Sequence, residues 1–461
     1  MAVANYSRRA FLKASASAAA LTCLPGRSLA DTTNYVRVEW QTFKSTPQYA
    51  SFLNAVGLMK ANTDETDPAS WAYWVDVHMN YCPHSIPYFF AWHRGYLYYF
   101  EQQLRTVSGD NAMTLPYWDY YSYPIIPSEF LDSATGNPLY VTGRINSDVR
   151  NALSMAPFSP TIDSFQRGTS NSYEESFESA PHNPVHDVIG GWMADMQSPN
   201  DPIFYLHHAN VDRLFDGWAG SATNYPSPTD PYWSDFFTYA PGLTLARSDT
   251  YEPSLLNYQY DNSSLPQALP PSAQRGRIIR VQAQRAPIQG RPPIGNFPAT
   301  PARQISANRR SLGGAANVKL NHNSVSVLIE LTDSNAEVLR SAVSGRTAFA
   351  NVVFDGLAVY ALGKGGGYFY NVYANLPLTG DADTGSRSRF LGTVGPFEAS
   401  AAQHHAGGAL ILSATDVFHR MTPAEFKQIV VSVIRVDGTN SPRGDVMSVR
   451  EVRIELSSNP Y

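Results

Sequence analysis

The chain has 461 residues, a formal net charge of −5 and 12% aromatic residues, among them 27 Tyr, 22 Phe and 8 Trp. That ring content excludes a disordered chain, and the near-balance of 34 basic and 39 acidic residues excludes a nucleic-acid footprint. Two cysteines exclude a disulfide-stapled fold and a cysteine-built zinc or iron–sulfur site, and no apolar run past the N-terminus is long enough to span a membrane.

Residues 1–30 read as a cleavable export signal. Ser7-Arg8-Arg9-Ala10-Phe11-Leu12-Lys13 precedes a weakly apolar, Ala-rich stretch that ends at Ser28-Leu29-Ala30, where the small Ser28 and Ala30 suit cleavage. The paired arginines mark the twin-arginine route, so the chain is expected to meet that export machinery and reach the bacterial periplasm or exterior. Cleavage removes Cys23 and leaves Cys82 as the mature chain's one cysteine.

Residues 31–256 read as a mainly helical domain with a four-helix-bundle core. All eight Trp lie between Trp40 and Trp233, and seven of the eleven His lie between His78 and His208. The other four, His322, His404, His405 and His419, fall in the Trp-free second half, so the chemistry is expected in the first half. Pro87 is placed in the first turn of a helix carrying His93 to Glu101, and a second helix includes His182 and His186. A third has Asp201 as N-cap, Pro202 at its first position and an apolar-rich run to Trp218.

Residues 257–316 read as a connector. Eight arginines from Arg275 to Arg310 lie among prolines, and no Asp or Glu occurs between Asp261 and Glu330. Residues 317–461 then turn to short strands, at Val325–Leu331, Ala348–Phe354, Phe369–Leu376, Leu410–Ser413, Ile429–Val436 and Val449–Leu456. Gly, Asp and Asn turns separate them, which predicts a β-sandwich or barrel. The run Gly363–Gly367 lacks the spacing of a phosphate loop and is expected to be a flexible turn. The whole is an α + β multidomain chain.

The histidine pattern carries the chemistry. His182 and His186 are four apart, so on a helix they share a face and can grip one metal ion. The capped helix beyond adds His207 and His208, about 100° apart, of which one is expected to reach the same metal. His78, Cys82, His84 and His93 form another cluster, with His78 and His84 expected on irregular backbone. Neutral imidazole suits copper, zinc, iron or nickel, and no carboxylate stands at ligand spacing. A single His₃ zinc site would leave one cluster unexplained, so paired His₃ sites fit a dicopper centre best.

These residues resemble the type-3 copper family of tyrosinases, catechol oxidases and oxygen-carrying haemocyanins. Phe89-Phe90-Ala91-Trp92-His93-Arg94-Gly95-Tyr96-Leu97, followed by Glu101, is similar to the family's first copper segment, with Ala91 where the family usually has Pro. Leu115-Pro116-Tyr117-Trp118-Asp119 also recurs, and His182–Arg213 resembles the second copper segment. The resemblance implies two copper ions per chain. His78, His84 and His93 would hold one and His182, His186 and His208 the other, with His207 a packed neighbour. It implies O₂-driven oxidation of o-diphenols to o-quinones and hydroxylation of monophenols, with phenolic small molecules as substrates.

The resemblance also implies a thioether between Cys82 and His84, against a buried free thiol as the alternative. It places Glu178 and Asn183 around a water that would deprotonate a monophenol, against ordinary helix-start roles. Asp187 would disfavour carboxylated phenols, against a solvated helix-face acid. The C-terminal domain resembles the tail domain of plant polyphenol oxidases, which implies a covered, latent site opened by proteolysis of the connector. A haemocyanin-like O₂ carrier is the alternative from another class, because the same six histidines serve both. A degenerate copper domain is disfavoured, because all six ligand positions are filled.

Overall fold

The computed structural model describes residues 34–222, 224–271, 292–376 and 388–460. The expected export signal, Cys23 and the connector from Arg275 to Arg291 lie outside the described residues. No described helix is long and apolar enough to cross a membrane.

The first half is helical around an aromatic core. Its main elements are β1 (Tyr35–Arg37), α1 (Gln48–Ala61), α2 (Trp71–Tyr81), α3 (Phe89–Ser108), α4 (Asn183–Ile189), α5 (Ile203–Ala219) and β2 (Tyr258–Tyr260). Trp40, Trp74, Trp92 and Trp118 are fully buried among Phe and Tyr rings. α3 stops at Gly109, whose φ of 68° suits a residue without Cβ.

Several boundaries differ from expectation. α2 runs through His78 to Tyr81, so only His84 sits on irregular backbone. Tyr88 takes a left-handed conformation (φ 84°), so α3 starts at Phe89 and Pro87 precedes it. His182 closes a π-turn, Glu178–His182, and α4 begins only at Asn183, so the two histidines do not share one regular helix. α4 is seven residues long, about two turns, which leaves the expected four-helix core with one short member. Pro202 is the cap and Ile203 opens α5, while the Asp201 carboxylate still accepts the Ile203 N–H at 3.0 Å.

A buried charge network ties the ends of this half together. Arg37 reaches Glu101 at 2.8 Å and Asp212 at 3.4 Å, and Arg94 reaches Asp212 at 2.7 Å. Tyr258 and Tyr260 donate their hydroxyls to Asp212 from β2, which pairs in parallel with β1. The network thus takes in residues past 256. Burial opposes ionisation of Asp212, yet Arg94 and Arg37 hold its carboxyl below the usual range.

The second half is a sandwich with an aliphatic core. Its elements are β3 (Arg309–Asn321), β4 (Val325–Glu330), α6 (Asp333–Ser344), β5 (Phe349–Val359), β6 (Tyr368–Ala374), β7 (Phe390–Val394), α7 (Pro396–His405), β8 (Leu410–Ser413), α8 (Thr415–His419), β9 (Gln428–Asp437) and β10 (Asp445–Ser457). One sheet runs β8-β5-β10-β3 and ends on Ala299–Thr300, and the other runs β7-β6-β9-β4 and ends on Ile294–Gly295. Registers such as Val352 opposite Ile454 and Val372 opposite Val433 stack β-branched residues across the strands. β3 begins inside the expected connector and crosses its boundary at 316; its Arg-Arg start and Gly-Gly-Ala-Ala centre carry little strand propensity.

The sandwich is pinned onto the helical half. Gly191 donates its N–H to Gly365 O at 2.8 Å, and Gly367 donates to Asp187 O at 2.7 Å. A Cβ on Gly366 would lie 2.8 Å from that same Asp187 oxygen. The glycine run is thus a close-packed contact between the halves rather than a flexible turn. Asn146 donates to Val188 O at 2.9 Å and accepts the Asn440 N–H at 2.8 Å. Asp416 of α8 accepts from Ser170 Oγ at 3.0 Å and from the Asn171 N–H at 3.1 Å.

Candidate metal centre

Two buried clusters form where α2, α3, α4 and α5 converge. His78, Cys82, His84 and His93 make one, and His182, His186, His207 and His208 the other; within each, the possible ligand atoms lie within 4.8 Å of one another. The clusters face each other. The His93 and His208 rings stack with centroids 4.2 Å apart, and Phe204 packs against His78 at 5.1 Å and His208 at 4.3 Å.

Backbone and amide oxygens set the ring orientations. Nδ1–H donates to Met196 O at 2.9 Å from His78, to Phe89 O at 2.7 Å from His93 and to Met193 O at 2.8 Å from His186. His182 donates its Nδ1–H to Asn183 Oδ1 at 2.7 Å. A proton held at Nδ1 leaves Nε2 with its lone pair inward, the tautomer a metal requires. Nε2 of His78 and of His186 is buried with no hydrogen-bond partner, and His182 Nε2 lies 3.3 Å from His208 Nε2. Burial pushes the imidazoles toward the neutral form, His93 down to about 4 and His186 to about 3. Neutral, converging and otherwise orphaned nitrogens fit copper.

His207 is fully buried beside this cluster, and neither ring nitrogen has a hydrogen-bond partner. Its ring lies 5.3 Å from that of His182 and 5.6 Å from that of Tyr120. Cys82 is free and buried, its Sγ 3.7 Å from His84 Nε2 and 3.4 Å from His93 Nε2.

The three candidate polar residues are all committed. Glu178 accepts the Ser85 N–H at 2.8 Å with one oxygen and pairs with Arg167 through the other. Burial pushes its pKa up, while Arg167 pulls it back. Asn183 spends its oxygen on His182. Asp187 is neither solvated nor open to a substrate: it is fully buried under the sandwich and accepts the Phe397 N–H at 2.8 Å. Burial first, and Glu398 second, raise its pKa well above the carboxylate range.

Phe397, on α7, was not foreseen. Its ring stacks on His186 at 4.1 Å and also approaches His182 at 5.7 Å and His84 at 5.5 Å. His405, from the same helix, stacks over His84 at 5.9 Å. The second half therefore packs against the clusters, whose eight residues all come from the first half. Gly395-Pro396-Phe397-Glu398 carries no signal in a single sequence that would have marked it.

The profile described as "Common central domain of tyrosinase" matches residues 59–159 and 140–221. A tyrosinase of Hahella sp. (strain CCB-MM4) is 32% identical over 249 residues, covering 42% of this chain and 53% of that protein. A tyrosinase of Streptomyces antibioticus is 30% identical over 189 residues, covering 32% of this chain and 67% of that protein. The chain spans about half the length of the Hahella tyrosinase and of the plant polyphenol oxidases it matches. The fold is similar to that of latent apple tyrosinase, with a TM-score of 0.52 and 18% identity over 94% of this chain and 98% of that one.

Proposed function

The chain belongs to the type-3 copper family, and from that premise we propose that it is an exported phenol oxidase held latent by its own C-terminal sandwich. His78, His84 and His93 hold one copper ion, and His182, His186 and His208 the other. Two bound copper ions supply the redox chemistry with O₂. For o-diphenols, two catechols and one O₂ give two o-quinones and two waters; monophenols are hydroxylated ortho to their OH. Export by the twin-arginine route rests on residues 1–30 of the sequence.

The chain's own residues supply orientation, dryness and access. The Nδ1–H bonds from four histidines hold the inward nitrogens in place. Phe89 and Phe204 wall the centre with ring surface that excludes water. Phe397 occupies the face of His186 on which a flat phenol would stack, so a phenol enters only when α7 withdraws. Withdrawal also uncovers Asp187 beside His186, where a carboxylate would disfavour acidic phenols. Glu178 becomes a proton acceptor for a monophenol only once Arg167 releases it, and Asn183 acts first by orienting His182.

The facing pair of imidazole clusters carries the reading. Phe397 also favours a second one, an O₂ carrier whose phenol entrance stays shut. O₂ uptake by the copper-loaded chain separates them, measured with catechol and a matched monophenol before and after tryptic removal of the sandwich. Phenol-dependent uptake that rises on removal supports the latent oxidase. Reversible O₂ binding without turnover identifies the carrier. Full activity with fewer than two coppers per chain overturns the dinuclear centre.

A further inference from the structure

Phe397, Ala401 and His405 are spaced four apart on α7 and so form one stripe along the helix. The two ends of the stripe bracket the same imidazole, since Phe397 and His405 both lie against His84. The small side chain of Ala401 between them leaves a cavity of about 180 Å³, lined by His84, Ala401, His405, Arg167 and Glu175 among others. At the end of α7, His404 and His405 are exposed, with their ring centroids 4.7 Å apart. His404 donates its Nε2–H to Met79 O at 2.6 Å, which leaves its Nδ1 lone pair free to bind a cation. A helix C-terminus adds favourable potential for a cation at that point.

His84 is the ligand best placed to receive one. It sits on irregular backbone, and its Nδ1 has no hydrogen-bond partner. The other ligand with an unpartnered Nδ1, His208, is fully buried on α5 and does not line the cavity.

We propose that His404 and His405 form a copper-capture site, through which ions enter the centre by way of His84. The capture site takes a single copper ion from solution on neutral imidazoles. The ion then passes to His84 by exchange of one imidazole for another, with no change in its oxidation state. The assignment rests on the dicopper reading of the buried clusters.

The test uses the full chain and inorganic Cu(II). Holoprotein already carrying two coppers is titrated with more Cu(II) and followed by electron paramagnetic resonance. The expected result is one further ion with imidazole-nitrogen splitting, absent from H404Q/H405Q. Glutamine can still donate to Met79 O, and thermal unfolding of the variant confirms that it folds. Metal-stripped wild type and variant are then reloaded, with uptake read from tryptophan quenching and final copper content. The variant should reach the same two ions several-fold more slowly. Equal loading rates overturn the proposal, as does the lack of an imidazole-coupled signal in the unaltered holoprotein, a result independent of any variant. A wild-type chain that takes up fewer than two buried coppers overturns the dicopper reading as well.

Discussion

Phe397 lies face to face with His186, their ring centroids 4.1 Å apart and their planes 18° from parallel. One residue of the sandwich thus occupies the ground beside a histidine of the second cluster. Phe397→Ala should raise catechol-dependent O₂ uptake of the uncut chain several-fold toward that of the sandwich-free form. It should also loosen the docking of the sandwich by about 3 kcal/mol, as for truncation of other buried rings. Steady-state O₂ uptake and thermal unfolding check both.

The seat of that ring depends on Asp187 and Gly395. A Cβ on Gly395 would fall 1.8 Å from Asp187 Oδ2, so Gly395→Ala should prevent α7 from seating and activate the uncut chain. Asp187→Ala leaves the Phe397 N–H without its acceptor, at a cost of about 1–3 kcal/mol, and should activate in the same direction. In the sandwich-free form, Asp187→Asn should improve activity on tyrosine relative to tyramine. Equal changes on the two substrates would show that Asp187 plays no part in selection.

Asn183 is expected to act on metal retention. Asn183→Ala removes the acceptor of the His182 Nδ1–H and should weaken copper binding about ten- to a hundredfold. The check is copper content after equilibration against a graded chelator.

On the proposed function, Cys82 and His84 should be joined by a thioether in the copper-loaded protein, although the thiol also lies beside His93, at 3.4 Å against 3.7 Å. A peptide spanning both residues should then weigh two hydrogens less than its sequence requires. An unaltered mass, with the thiol open to alkylation after unfolding, would show a free cysteine.

Asp212→Ala should destabilise the helical half without touching the two histidine clusters. It leaves Arg94 buried without its carboxylate partner, while Arg37 keeps Glu101, a loss of about 3–5 kcal/mol. Thermal unfolding should drop markedly, while copper content at low temperature stays unchanged.

Much of the centre was legible from spacing. The Trp92-His93-Arg94 motif and the Asp201-Pro202 pair mark the starts of two helices, and the four-residue interval of His182 and His186 marked their cluster although His182 closes a π-turn and only His186 lies on α4. The motif also held Arg94 and Glu101, but their purpose appears only with Asp212, 118 residues away from Arg94. The six expected strands were found because short apolar runs bounded by Gly, Asp and Asn turns mark them directly. β3 was missed because its Arg, Gly and Ala residues lack that mark and gain their burial from neighbouring strands.

The sequence by itself determined the two sets of clustered imidazoles and the strand-rich character of the second half. Only the tertiary structure decided what stands over those imidazoles. Phe397 is 211 residues from His186, and the pairing of Asp187 with the Phe397 N–H joins two halves whose local signals are independent. Contacts of that kind follow from how two preformed surfaces dock, and no periodicity within either segment encodes them.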